Sequence, residues 1–172
     1  MDRRTRLRRT GTLCFHTLRH LGYLEALAEC ESSWKHSEFW IATHNNFLDL
    51  GILEWCKLFA ENSGKHYWLK SVSNPRSFQS SLFQAIALTD GEFSEYRDKL
   101  KWYRNRFLAH LDEDNVYRLP RMATARASTS FLLQWLLDRE NDCDAFPDAP
   151  KTADDFFVQC LDHARLVTRG KA

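Results

Sequence analysis

Apolar side chains recur at steps of three and four residues along most of this chain, a spacing that places them on one face of an α-helix. The segment at 37–62 has the broadest apolar face, so we expect it at the centre of a bundle. The same spacing predicts five further helices, at about 12–30, 75–88, 90–110, 120–139 and from Thr152 onward. The pattern therefore predicts an all-α, single-domain bundle of about five to six helices.

The starts of two predicted helices carry clear capping signals. Thr89 and Glu92 form a capping-box pattern, and Asn74 with Pro75 is typical of a helix cap and first turn. Thr152 is a further cap candidate. Behind Thr89, one apolar stripe is formed by Phe93, Tyr96, Leu100, Tyr103 and Phe107.

The composition agrees with a single helical domain. The 172 residues include only 6 Gly and 4 Pro, too few for the many tight turns of a sandwich or barrel. The net charge is +1, so any binding of nucleic acid needs a local basic patch. Five cysteines without a Cys-x-x-Cys pair indicate reduced thiols, and no apolar run reaches the roughly 18 residues of a membrane span. We expect a cytoplasmic protein without membrane contact.

Candidate chemistry stands at the end of the fourth predicted helix. The sequence YRNRFLAHLDED, at residues 103–114, contains Arg104, Asn105 and His110. An Arg beside an apolar stripe needs a partner, and a His transfers protons near neutral pH. Helical geometry separates Arg104 and His110 by about 120° around the axis. The two side chains can act on the same substrate atom only if two copies of the helix meet or if the helix unwinds at His110. Otherwise they are packing and snorkelling residues at the edge of the stripe.

The Arg104-Asn105-x4-His110 arrangement resembles the Arg-x4-6-His motif of HEPN-domain proteins. The sequence around the His, with "AHLD" at 109–112, is similar to the abortive-infection branch of that family. The resemblance implies a HEPN-like helical bundle that dimerises and brings two motifs into one cleft. In many members this cleft is a metal-independent endoribonuclease of a toxin–antitoxin or phage-defence system. In others it is a non-catalytic module that holds a nucleotide or a protein partner. A purely structural helical dimer is the third interpretation.

Each motif residue has a role under the resemblance. His110 would act as general base or acid on the ribose 2′-hydroxyl, and Arg104 would stabilise charge on the phosphate. Asn105 would hold His110 or the phosphate, and Arg106 would add a phosphate contact. The expected partners are RNA, a second copy of the chain and a cognate antitoxin protein, with no cofactor. Some family toxins carry a Tyr two residues after the His, where this chain has Asp112.

Two further basic segments are candidates for contact with phosphate. Residues 1–10 hold five arginines and are predicted as a basic arm ahead of a helical domain at 11–172. Such an arm could contact phosphates, but a solvated, fraying terminus is the favoured interpretation. Lys65 and Lys70 lie in a predicted loop with Tyr67 and Trp68 between them. Basic and aromatic side chains together can hold single-stranded RNA, or the aromatics can anchor the loop to the core.

Other kinds of site are weakly supported. His16 and His20 are four residues apart, as two metal ligands on a helix would be, but no third ligand is placed. A surface pair without a metal is the favoured interpretation. The chain has neither a P-loop nor a Gly-x-Ser-x-Gly elbow, so P-loop nucleotide hydrolysis and the usual serine hydrolase site are excluded.

Overall fold

A computed structural model of the protein describes residues 1–30, 37–108 and 118–169. In these ranges the regular structure is helical and no strand occurs, which confirms the all-α prediction. The six α-helices are α1 Arg3–Glu29, α2 Glu38–Phe59, α3 Pro75–Ile86, α4 Asp90–Tyr103, α5 Ala123–Arg139 and α6 Ala153–Arg169. A short 3-10 turn spans Trp68–Lys70, and α4 continues directly into a π-helical segment, Arg104–Leu108.

The helix at the centre of the bundle is α1, which packs against α2, α5 and α6. It comes close to α6 at Gly22, where a Cβ would stand only 3.3 Å from Cys160 Cβ. The central position predicted for α2 holds only for its second half, because its buried residues lie between Gly51 and Phe59. A broad apolar face does not by itself show which part of a helix its neighbours cover.

An aromatic cluster joins α2, α4 and α5. The Trp55 ring stacks on Phe59 at 5.2 Å and meets Tyr96 edge-on at 5.4 Å. Trp55 Nε1 donates a 2.9 Å hydrogen bond to Ser128 Oγ, so the buried indole is satisfied within the core. This cluster fixes the α4 helix, which leads to the predicted motif, against the rest of the bundle.

The capping signals in the sequence are confirmed. Glu92 N donates to Thr89 Oγ1 at 3.2 Å, and Thr89 N donates to Glu92 Oε2 at 2.8 Å, which completes the capping box of α4. Asn74 Oδ1 accepts from Ser77 N at 3.1 Å at the start of α3. Thr152 Oγ1 accepts from Asp155 N in the same way at the start of α6. The caps succeed as predictions because donor and acceptor lie within one helical turn.

The N-terminal segment differs from its prediction. α1 begins at Arg3 rather than near residue 12, so most of the predicted basic arm is helical. Asp2 Oδ1 caps the helix by accepting from Thr5 N at 2.9 Å, and Leu7 is buried in the core. Arg3 is anchored on Glu140 through a 2.9 Å ion pair. Arginine is a good helix former, and these contacts hold the first turns in place.

None of the helices in the described ranges combines the length and the apolar character needed to cross a membrane. All five cysteines fall in those ranges, and each of them is a free thiol.

Candidate functional site

The motif begins where the backbone changes from α to π geometry. α4 ends at Tyr103, and Arg104 is the first residue of the π segment. Such segments are rare and are frequently found at functional sites. The α-helix predicted to reach residue 110 is therefore shorter than expected. His110 itself lies outside the described residues, as does Asp112.

Arg104 is tied to two neighbours. Its Nη1 forms a close ion pair with Glu61, just beyond the end of α2. Its Nε and Nη2 donate to Asn105 Oδ1 at 3.1 and 2.9 Å. Only 17% of the Arg104 side chain is exposed. The guanidinium is thus fixed in position, and part of its charge is balanced by a carboxylate.

Asn105 contacts Arg104 through its side-chain carbonyl oxygen. The family resemblance implies that this residue holds His110 or a phosphate, and the structure adds a different contact. A carbonyl oxygen that accepts from two nitrogens of one guanidinium restricts the rotation of that group. Asn105 therefore orients Arg104.

The end of α4 is held against α2 by a partly buried polar contact. Tyr103 Oη donates to Asp49 Oδ1 at 2.8 Å, and the Tyr103 ring stacks on Phe107 at 5.1 Å. Burial, followed by the bond to the Asp49 carboxylate, raises the pKa of the Tyr103 phenol above its ordinary value. Sequence reasoning missed Asp49, whose only signal is a carboxylate on the broad apolar face of α2.

Arg106 lies on the exposed side of the π segment. Its guanidinium carbon is 5.6 Å from the centre of the Trp102 ring, a cation–π geometry. The charged head of Arg106 therefore lies over the Trp102 ring at the protein surface. This placement is compatible with the phosphate contact predicted for Arg106.

The two basic segments identified in the sequence meet in space. Lys65 and Lys70, from the loop between α2 and α3, line one pocket of about 360 Å³ with Arg6 and Arg9 of α1. Arg6 Nη1 donates to the Lys70 carbonyl oxygen at 3.1 Å, which ties the helix to the loop. We call these four residues the basic pocket.

The aromatic residues of this loop have different roles. Trp68 is buried and stacks on Phe78 at 4.8 Å, so it belongs to the core. Tyr67 is half-buried against the same core. The loop-anchor interpretation is therefore the correct one for Trp68, which cannot stack on an RNA base while it is in this position.

His66 lies among the charges around the basic pocket. Burial lowers the pKa of His66, and the positive charges of Arg9, Lys57 and Lys65 lower it further. Glu61 acts in the opposite direction, and it is the same carboxylate that pairs with Arg104. His66 Nδ1 is buried and has no hydrogen-bond partner within the described structure. Glu61 thus pairs with the motif arginine and also acts on His66.

The His16 and His20 pair shares a carboxylate that sequence reasoning did not find. Their Nδ1 atoms lie 3.2 and 3.1 Å from the two side-chain oxygens of Glu54, on α2. The pair is therefore not simply a surface pair, since only 17% of the His20 side chain is exposed. Across residues 1–30, 37–108 and 118–169, no group of three His, Cys, Asp or Glu is arranged to hold a metal ion.

Comparison with known proteins adds no relative: no family model, curated protein or solved structure matches this chain. Any functional assignment therefore rests on the site itself and on the resemblance of its motif.

Proposed function

We propose that this protein is a metal-independent endoribonuclease of the toxin–antitoxin or phage-defence type, acting as a homodimer on RNA. The proposal rests on the resemblance of Arg104-Asn105-x4-His110 to the HEPN motif. It is further supported by the rare π geometry at the start of that motif.

The single observation that carries the proposal is the fixed guanidinium of Arg104. Asn105 holds two of its nitrogens, and the side chain is largely withdrawn from water. A positive group held in place before the reaction stabilises developing negative charge without a cost of reorganisation. Catalysis of phosphate-ester cleavage needs such a group beside the phosphorus.

In the proposed reaction, His110 accepts the proton of the ribose 2′-hydroxyl as general base. The 2′-oxygen then forms a bond to the adjacent phosphorus, and the bond from phosphorus to the 5′-oxygen breaks. The leaving oxygen takes up a proton from an acid, such as the second His110 of a dimer. Arg104 neutralises charge on the phosphate oxygens, Asn105 orients Arg104, and Arg106 contacts a neighbouring phosphate.

A dimer is part of the proposal because the resemblance of the motif implies that two copies of Arg104-Asn105-x4-His110 meet in one cleft. Exposed apolar side chains on α2 and α4 offer surface for the contact. Phe39 and Leu50 are exposed, and helical geometry places both on one side of α2. Trp102, two residues before Arg104, is also exposed.

A second function is favoured by one specific contact. Glu61 already pairs with Arg104, so a substrate phosphate would compete with a carboxylate for the same guanidinium. This arrangement favours a non-catalytic HEPN module that holds a nucleotide or a protein partner. Release of the Glu61 pair on RNA binding would reconcile the contact with catalysis.

The deciding experiment is RNA cleavage by the full chain in excess chelator. We expect the wild type to cut, and the His110→Ala and Arg104→Ala variants to be inactive. The matched controls are His163→Ala and Arg76→Ala, which remove an exposed His and an exposed Arg from other helices. If a folded, dimeric wild type cuts none of several RNA classes, the nuclease proposal is overturned. The non-catalytic binding module then becomes the favoured function.

A further inference from the structure

The basic pocket concentrates positive charge in a chain whose net charge is only +1. Arg6 and Arg9 come from the first turns of α1, and Lys65 and Lys70 from a loop that is distant in sequence. Within the described part of the chain, no acidic side chain lines this pocket. Four cations facing one space repel each other, so an anion between them is favoured.

The charge of these cations is not cancelled by ion pairs. Among the residues that the structure describes, none of the four pairs with a carboxylate, whereas Arg3 and Arg165 do. The side chains of Arg6 and Lys70 donate instead to the neutral carbonyl oxygens of Lys70 and Ser63, at 3.1 and 2.9 Å. Such bonds hold the side chains in position and leave their charge available.

The positive field extends beyond the pocket lining. Lys57 and His66 lie close enough that Lys57, Arg9 and Lys65 together act on the His66 ring. The loop that carries Lys65 starts beside Glu61, the partner of Arg104. The basic pocket and the motif arginine are therefore linked through one short stretch of chain.

We propose that the basic pocket binds backbone phosphates of single-stranded RNA and holds the strand beside the Arg104 motif, an inference that rests on the proposed function. Arg and Lys side chains from two segments can contact successive phosphates along a flexible strand. Trp68 packs in the core against Phe78, so its ring does not stack on an RNA base beside the pocket. The pocket therefore offers positive charge to the phosphates. The binding is therefore to the backbone and tolerates many sequences.

The test measures binding of a labelled single-stranded RNA to the full chain by fluorescence anisotropy, across a series of salt concentrations. All proteins carry His110→Ala, so that cleavage does not interfere. The test variant is Arg9→Ala with Lys65→Ala. Its matched control is Arg8→Ala with Lys151→Ala, which removes the same charges from two exposed residues outside the basic pocket. Arg9→Lys with Lys65→Arg keeps the charge and is expected to bind as the parent does.

We expect the test variant to bind about tenfold more weakly, while the affinity of the control changes little. The slope of log affinity against log salt should become shallower by about 1.4, or roughly 0.7 for each phosphate that is no longer bound. Equal RNA affinity of the test and control variants would overturn the proposal that the basic pocket binds RNA. Tight binding of pyrophosphate without binding of RNA would overturn the RNA assignment in favour of a small-anion site.

The outcomes separate this inference from the nuclease proposal. Suppose that the wild type cuts RNA, but the test and control variants bind RNA equally well. The nuclease proposal would then stand, and the proposal that the basic pocket binds RNA would be overturned. Suppose instead that the wild type cuts no RNA, but its RNA binding depends on Arg9 and Lys65. The nuclease proposal would then be overturned, and the proposal that the basic pocket binds RNA would stand. A wild type that neither binds nor cuts RNA would overturn both.

Discussion

Arg104 and Glu61 form an ion pair that joins the first residue of the HEPN-like motif to the chain just beyond α2. The pair fixes the guanidinium and at the same time balances its charge. Under the proposed function, Glu61 both positions Arg104 and competes with the substrate for it. The two effects predict different results when the carboxylate is removed.

Glu61→Gln should increase the affinity for single-stranded RNA severalfold, because the phosphate no longer competes with a carboxylate for Arg104. The pair is partly exposed, so we expect the free energy of unfolding to fall by only about 1 kcal/mol. Anisotropy titrations and urea unfolding measure the two effects. A fall in stability with unchanged RNA affinity would show that the pair is only structural.

Asn105→Ala should lower kcat about tenfold with little change in KM, because Arg104 then keeps only Glu61 as an orienting partner and is less well aligned for the transition state. Asn105→Asp keeps an oxygen at the accepting position and should restore most of the rate. Steady-state cleavage of a short RNA measures both constants. A rise in KM alone would instead indicate that Asn105 contacts bound RNA in its ground state.

Glu140 is the clearest source of pH-dependent stability. Burial raises its pKa, but hydrogen bonds from Arg3, Ser73 and Trp135 outweigh burial, and the net effect lowers the pKa below its ordinary 4.5. A lowered pKa stabilises the fold above about pH 4.5, and this contribution is lost as the pH falls through the folded-state value.

Glu140→Gln should therefore lower the free energy of unfolding by about 2 kcal/mol at pH 7, since an amide cannot accept all of these bonds through a single oxygen. Urea unfolding at pH 7 and at pH 3 measures the effect. The difference between wild type and variant should shrink at the lower pH. Asp138→Asn, at an exposed acidic position on α5, is the control. A difference that stayed constant with pH would contradict the assigned cause.

The charges around His66 can be tested by proton NMR. Because the positive charge of Arg9 lowers the pKa of His66, Arg9→Ala should raise that pKa toward its ordinary value of 6.5. Arg8→Ala, at the adjacent position but outside the basic pocket, should leave it unchanged. An equal change in the pKa of His66 in both variants would mean that Arg9 is not the nearby charge that acts on this ring.

The features predicted correctly from the sequence depend on neighbours along the chain. Thr89 with Glu92 and Asn74 with Ser77 form caps in which both partners lie three residues apart. The apolar stripe on α4 likewise follows from helical periodicity, and Phe93, Tyr96 and Leu100 are buried. The sequence was less informative about how far each helix is covered by its neighbours. The first half of α2 carries Phe39, Trp40 and Ile41, yet the buried residues of this helix begin only at Gly51.

Local sequence is sufficient to specify the helices, their caps and the motif at the end of α4, because each depends on residues within a turn or two of chain. The pairing of Glu61 with Arg104, the position of Glu54 between His16 and His20, and the anchoring of Arg3 on Glu140 emerge only when the helices pack. The same holds for the meeting of the α1 arginines with the lysine loop. These partners lie 34 to 137 positions apart, and no local pattern specifies which distant groups meet in a folded bundle.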